Sequence, residues 1–169
     1  MKKKPHPVNP KRRLHIAIII GVIVIAAVIA VNYYLDQANI TGQRFGNNLA
    51  SIQIELKNAT ISFDANLTMY EKGQISKERM LNITDTHIAE MQNILTKYDS
   101  LNPPEPFVAS FQLFKLSTQT QLESDNLLKE WVQTGDNSTR AKSDQLLQQS
   151  FQYEMSALQS FNNAKSGTS

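Results

Sequence analysis

The sequence predicts an all-α protein: a single N-terminal transmembrane helix followed by an antiparallel up-down-up-down four-helix bundle. Three observations predict it. Residues 16–31 form an unbroken apolar run. Beyond that run, glycine and proline are sparse: Gly73, the cluster Pro103-Pro104-Glu105-Pro106 and Gly135 divide the chain into four long segments. None of these segments alternates apolar and polar residues with the two-residue period of a half-buried strand, and no Asn-Gly-type hairpin signal occurs.

The first element is a basic tail. Lys2, Lys3, Lys4, Lys11, Arg12 and Arg13 stand in residues 1–13 without a single acid. From Asp36 onward the balance reverses, with eleven basic and fifteen acidic residues. Positive charge confined to a tail is the wrong distribution for a nucleic-acid surface, so nucleic acid is not an expected partner. It is the right distribution for a cytoplasmic flank, and the excess of cations before the apolar run places the N-terminus inside.

The second element, residues 14–35, is read as the transmembrane helix. About 20 residues at 1.5 Å each cross a hydrocarbon core of about 30 Å, with Tyr33 and Tyr34 where an aromatic belt belongs. A signal peptide cleaved at Val28-Ile29-Ala30 is the competing reading. The apolar run exceeds the usual signal core of about 7 to 15 residues, which favours a retained anchor. Ala17-xxx-Gly21 and Ala26-xxx-Ala30 would let another helix approach closely.

Residues 36–164 are expected to lie outside the cell as the bundle, with helices near 36–72, 76–101, 103–134 and 138–164 and a frayed tail at 165–169. The first helix carries a heptad-like, coiled-coil stripe: Phe45, Leu49, Ile52, Leu56, Ala59, Phe63, Leu67 and Tyr70. The second opens at Ser76, a favourable N-cap, and runs Leu81, Thr84, Ile88, Met91, Leu95, Tyr98. Asn102 is expected to cap the third, with Glu105 reaching back to it; its stripe is Phe107, Phe111, Phe114, Thr118, Leu122, Leu128, Val132, with Trp131 beside it. The fourth shows Leu147, Phe151, Leu158 and Phe161. Short turns make consecutive helices antiparallel neighbours. Two long hairpins on a partner, or a three-helix coil on a stalk, are the alternatives.

The chain has no cysteine, which excludes disulfides, thiolate metal sites and cysteine nucleophiles together. His87 is the one histidine beyond the membrane segment, so neither a catalytic triad nor a di-iron bundle can be assembled, and no enzyme or cofactor is expected. His87 and Met91, four apart on one helical face with Glu90 adjacent and Met80 upstream, are weak ligands for a soft metal such as Cu(I). The plainer reading makes the methionines core filler and sets His87 at the bundle edge. The centre of the third helix, from Ser117 to Asn126, is unusually polar. It reads as an exposed face with a thin core behind it, or as a small polar groove near Thr118 and Gln121 that would take a ligand.

Five Asn-x-Ser/Thr sequons, at Asn39, Asn58, Asn66, Asn82 and Asn137, all fall on the expected external side, as in a glycoprotein. A membrane helix running into an extracytoplasmic four-helix bundle resembles, in architecture only, the sensor domain of chemoreceptors. The expected departure from that family is the lack of a cytoplasmic signalling module after Ser169. Pro103-Pro104-Glu105-Pro106-Phe107 leading into a helix that ends Trp131-xx-Thr134-Gly135-Asp136 is similar to small extracytoplasmic helical proteins without assigned activity. The isoleucine-, asparagine- and sequon-rich, cysteine-free character looks archaeal. These resemblances imply no site residues. The expectation is a non-enzymatic interaction or scaffold protein in the cell membrane, an accessory subunit or surface protein with a membrane-protein partner or further copies of itself. A ligand-binding or sensory domain acting through a partner comes second, and copper handling third.

Overall fold

The computed structural model describes residues 40–167, and the side chains of 44–164. The described residues form four long helices and no strand: α1 Ile40–Glu71, α2 Lys77–Asp99, α3 Val108–Thr134 and α4 Asn137–Gly167. The basic tail, the anchor at 14–35 and Asn39 lie outside the described residues. Among the described residues no helix is long and apolar enough to cross a membrane.

Local chemistry sets the turns. Gly73 ends the α1 turn at φ 70°. Its N–H donates to Tyr70 O and that of Gln74 to Met69 O, both at 2.9 Å, the Schellman pattern that satisfies the last carbonyls of a helix. Ser76 then caps α2, its hydroxyl accepting from Arg79 N at 3.2 Å. Gly135, left-handed at φ 77°, ends α3, and Asp136 opens α4 by accepting from Ser138 N at 2.9 Å. Hydrogen bonds from the Ser138 side chain and backbone, and from the Thr139 side chain, hold the Asp136 carboxyl below its ordinary range. The proline cluster departs from expectation. Asn102 caps nothing; Glu105–Phe107 form a 3₁₀ turn without a side-chain cap, and the α-helix begins only at Val108. Three prolines in four residues explain the delay, since each lacks an N–H and pushes the preceding residue out of the α region.

Contacts between helices fix their directions. α1 and α2 meet through Gln53 with Tyr98 and Phe63 with His87. α2 and α3 meet through Lys115–Asp99 and Lys129–Asp85. α3 and α4 meet through Ser117 with Ser150 and Ser124 with Ser143. In each pair the residue numbers move oppositely, so consecutive helices are antiparallel. The larger apolar cluster draws on all four: Phe45, Leu49, Ile52 and Leu56 from α1, Met91, Ile94 and Tyr98 from α2, Phe114 from α3, and Ala157 and Phe161 from α4. A smaller one gathers Phe63, Leu67, Ile75, Met80, Leu128 and Val132 at the other end. There Arg140 lies over the Trp131 ring, 4.9 Å from its centroid, and reaches Glu71 and Asp144 at 3.4 Å.

Among the described residues the α3–α4 contact is the most extensive, and its cause is a seam of small residues. Ser110, Ser117 and Ser124 recur every seven residues on α3, and Ser143, Ser150 and Ala157 do so on α4; all six are buried. Ser124 Oγ donates to Ser143 O at 2.7 Å, and Ser143 Oγ donates back to Ser124 O at 2.9 Å. Ser117 Oγ donates to Ser150 O at 2.8 Å. A hydroxyl that bonds the facing backbone needs that backbone close, and a one-carbon side chain permits the approach. Ser124→Ala should therefore keep the helix spacing but lose its cross-helix bond, costing about 1 kcal/mol in urea denaturation followed by circular dichroism. Ser124→Leu, which forces the backbones apart, should cost at least twice as much; equal losses would mean that packing at this seam is loose.

Thr84, Met91 and Tyr98 on α2 and Phe161 on α4 are buried as the stripes predict, but the remaining stripe residues of these two helices are not. On α2 the buried residues are Met80, Thr84, His87, Met91, Ile94 and Tyr98, while Leu81, Ile88 and Leu95 are half-buried. On α4, Leu147, Phe151 and Leu158 flank the small-residue seam rather than forming it. The expectation of an exposed α3 centre is overturned outright: Ser117, Thr118, Thr120, Gln121, Ser124 and Asp125 are buried. Their hydroxyls, amide and carboxylate find partners on other helices or on the preceding turn, which removes most of the penalty of burying them.

Candidate functional site

The unusual chemistry of the domain lies in a polar layer between the two apolar clusters. Helical spacing builds it. Thr60 on α1, Thr84 and His87 on α2, and Gln121, Ser124 and Asp125 on α3 occupy inward positions where their neighbours above and below are apolar, so the helices carry them into the core together.

His87 is its centre. The imidazole stacks flat on Phe63, with centroids 4.1 Å apart and planes 5° from parallel. Its Nε2 lies 3.1 Å from Asp125 Oδ2, with side-chain exposures of only 4% and 7%. Burial pushes the Asp125 carboxyl above its ordinary range, and the hydrogen bond and charge of His87 oppose that shift. Beside this pair, Gln121 Nε2 donates to Thr60 Oγ1 at 2.8 Å, and that hydroxyl donates to Leu56 O at 2.9 Å. Thr84 Oγ1 donates to Met80 O.

A second polar group sits inside the larger apolar cluster. The Tyr98 hydroxyl accepts from Gln53 Nε2 at 2.7 Å and is 3.2 Å from Thr118 Oγ1. Burial, and the nearby Glu154 carboxyl, raise the Tyr98 hydroxyl well above its usual range despite those hydrogen bonds. Glu154 is buried on α4, and burial pushes its carboxyl up to about 7. Gln53 Oε1 and Glu154 Oε1 have no hydrogen-bond partner among the described residues.

A surface cleft among the described residues reaches this layer. It opens between α1 and α2 with a volume of about 280 Å³. Phe63 and His87 line it together with Asn66, Arg79, Asn82 and Glu90. An aromatic pair flanked by amides and opposite charges suits a small polar molecule with one flat or apolar face.

The candidates from the sequence fall differently. Thr118 and Gln121 are buried and bonded to Tyr98 and Thr60. His87 is in the core, not at the edge. Met91 belongs to the larger apolar cluster, and Asp125, rather than a methionine sulfur, meets the imidazole Nε2. No group of three or more metal-binding His, Asp or Glu side chains occurs among the described residues. Asn58, Asn82 and Asn137 are exposed. Asn66 is half-buried, its Nδ2 donating to Ser62 O at 2.8 Å. Sequence reasoning did not single out Glu154, and it left Asp125 within the polar stretch of the third helix read as an exposed face. The signal that could have found Asp125 was its seven-residue spacing from Thr118 and Val132, both assigned to the buried stripe.

No protein-family model, no curated protein and no solved structure matches this chain, so its function is read from its own residues and their geometry.

Proposed function

We propose that this chain is a non-enzymatic interaction protein: an up-down-up-down helical bundle held outside the cell membrane by residues 14–35, serving as an accessory subunit of a membrane complex or as a surface scaffold. The observation that carries this reading is where the chemically capable side chains spend their hydrogen bonds. His87 is engaged by Asp125 and Phe63, Tyr98 by Gln53 and Thr118, and Gln121 by Thr60. Each ties one helix to another. Polar groups used this way specify which helices pair and in what register, and they leave the reactive atoms turned away from solvent.

The test is extraction of the full chain from its native membrane in mild detergent. Co-migration with a larger membrane assembly is expected on native gels, and a stoichiometric partner in the excised band. Repeated recovery without any other protein would remove the accessory-subunit reading.

The cleft between α1 and α2 supports a second reading, a ligand-binding ectodomain acting through a partner. On that reading some small polar compound raises the thermal midpoint of the protein, and Arg79→Ala or Asn82→Ala abolishes the rise. Stabilisation that survives both substitutions would place the ligand elsewhere.

A further inference from the structure

Four of the five sequons fall among the described residues, and two of those four line the cleft between α1 and α2. Asn66 stands on its α1 wall and Asn82 on its α2 wall, whereas Asn58 and Asn137 are not part of it. The two cleft asparagines differ. Asn66 is half-buried, and its Nδ2 already donates to Ser62 O at 2.8 Å. Asn82 is exposed, one turn from Arg79 and one turn from Thr86 along the stripe of α2 that forms the wall.

We propose that Asn82 carries an N-linked sugar and that the first ring of this sugar occupies the cleft. The proposal rests on the external placement of the domain in the reading above and names what its cleft holds. The walls suit a neutral ring rich in hydroxyls. Arg79 and Glu90 both line the cleft, and one cation with one anion favours an occupant without net charge. Phe63 and Ile83 offer apolar surface to the C–H face of such a ring, while Asn66 and Thr86 can bond its hydroxyl rim. At about 280 Å³ the cleft falls just under the range of about 300–1,000 Å³ typical of ligand pockets, a space for one ring and not for a chain of them. So small a site would hold a free sugar weakly. A ring tied to one wall is present at a high effective concentration, and weak contacts then suffice.

Burial sets the order of events. The hydroxyl of this sequon belongs to Thr84, which is fully buried and donates to Met80 O at 2.8 Å. A transferase that reads the asparagine together with that hydroxyl reaches it only before α2 packs. In that step Asn82 Nδ2 bonds to the anomeric carbon of a lipid-linked sugar supplied in the membrane. The bond from that carbon to the lipid phosphate oxygen breaks, the phosphate departs with the electron pair, and the amide gives up one proton. The bundle then closes with the ring already at its wall.

The test begins with the full chain extracted from its native membrane, whose glycopeptides are read by mass spectrometry. A sugar on Asn82 is expected. Its seating is read by the thermal midpoint: Asn82→Gln should lower that of the native chain by about 3 °C, with no comparable change for Asn58→Gln or Asn137→Gln. In the full chain made in a host without N-glycosylation, Asn82→Gln should leave the midpoint unchanged. A bare Asn82 overturns the proposal. So does a sugar on Asn82 whose loss leaves the midpoint where it was, or an equal fall in the unglycosylated chain. External placement is read separately, by a membrane-impermeant amine label on intact cells that reaches the exposed Lys72 and Lys142. Labelled lysines with a bare Asn82 sink this inference and keep the external reading; unlabelled lysines with a bare Asn82 sink both. A seated sugar on a chain that leaves the membrane without any other protein keeps this inference and sinks the accessory-subunit reading.

Discussion

His87→Ala is expected to destabilise the domain by about 3–5 kcal/mol at neutral pH, the largest loss of any single substitution considered. Among the described residues the imidazole is the partner of the buried Asp125 carboxyl, 3.1 Å away. Removing one member of a buried polar pair leaves the other desolvated and uncompensated, which accounts for a loss of about that size. The vacated space beside Phe63, whose ring now stacks on the imidazole, adds a cavity cost. The loss has a pH signature. Asp125 already has a raised pKa because of burial, so without His87 it takes up a proton more readily still, and the penalty shrinks as pH falls toward the ordinary carboxylate range. Replacing both residues with leucine should cost far less than His87→Ala, because the layer then contains no orphaned charge. The checking measurement is a double-mutant cycle by urea denaturation. If His87→Ala costs under 1 kcal/mol at neutral pH, the pair is hydrated in solution and the layer is not closed.

How much of this was legible in the sequence depends on what kind of side chain does the packing. Where large apolar residues do it, the heptad stripe reads directly: Phe45, Leu49, Ile52, Leu56, Ala59, Phe63 and Leu67 are all buried on α1. Where small or polar residues do it, the same arithmetic misleads. Ser117, Gln121 and Asp125 look like a solvated face because composition records polarity and not whether a partner stands opposite. The partner of Ser124 is a backbone carbonyl on α4, which no side-chain pattern announces. The one-position offset of half the α2 stripe has a related cause. Leu81 and Ile88 are more hydrophobic than Met80 and His87, yet the latter face inward. Turning the leucine stripe fully inward would carry His87 away from Asp125 and Met80 out of the smaller cluster. The half-buried leucines still cover the rim of the core, so little apolar burial is lost by the turn. The cleft was illegible for a different reason: it arises from how Phe63 and His87 stack across two helices, a fact of tertiary geometry.

The second large effect is a gain. Glu154→Gln should stabilise the protein by about 2 kcal/mol at pH 8 and by almost nothing at pH 4.5. Burial raises the Glu154 carboxyl from an ordinary 4.5 to about 7, so between those values the folded chain keeps a proton that the unfolded chain has lost. The state that binds more protons is favoured at low pH. Stability from this group is therefore fully present below about 4.5, declines as pH rises, and is gone once pH passes 7. At about 1.4 kcal/mol per unit the full penalty is at most about 3–4 kcal/mol, and relaxation around a carboxyl that is not wholly enclosed reduces it. The charge is costly because Glu154 Oε1 has no hydrogen-bond partner among the described residues and the neighbouring groups at Tyr98 are an amide and a hydroxyl, not a cation. Glutamine keeps the shape without the ionisation. Asp125 titrates in the same direction, so the Gln variant keeps a residual decline with pH; combining it with the His87 and Asp125 leucine pair should flatten the profile further. Urea midpoints of the full chain in detergent, taken from pH 4.5 to 8, read this directly. Parallel curves for wild type and Glu154→Gln would mean that water reaches the carboxyl, and that the α4 side of the core is open where its packing says it is closed.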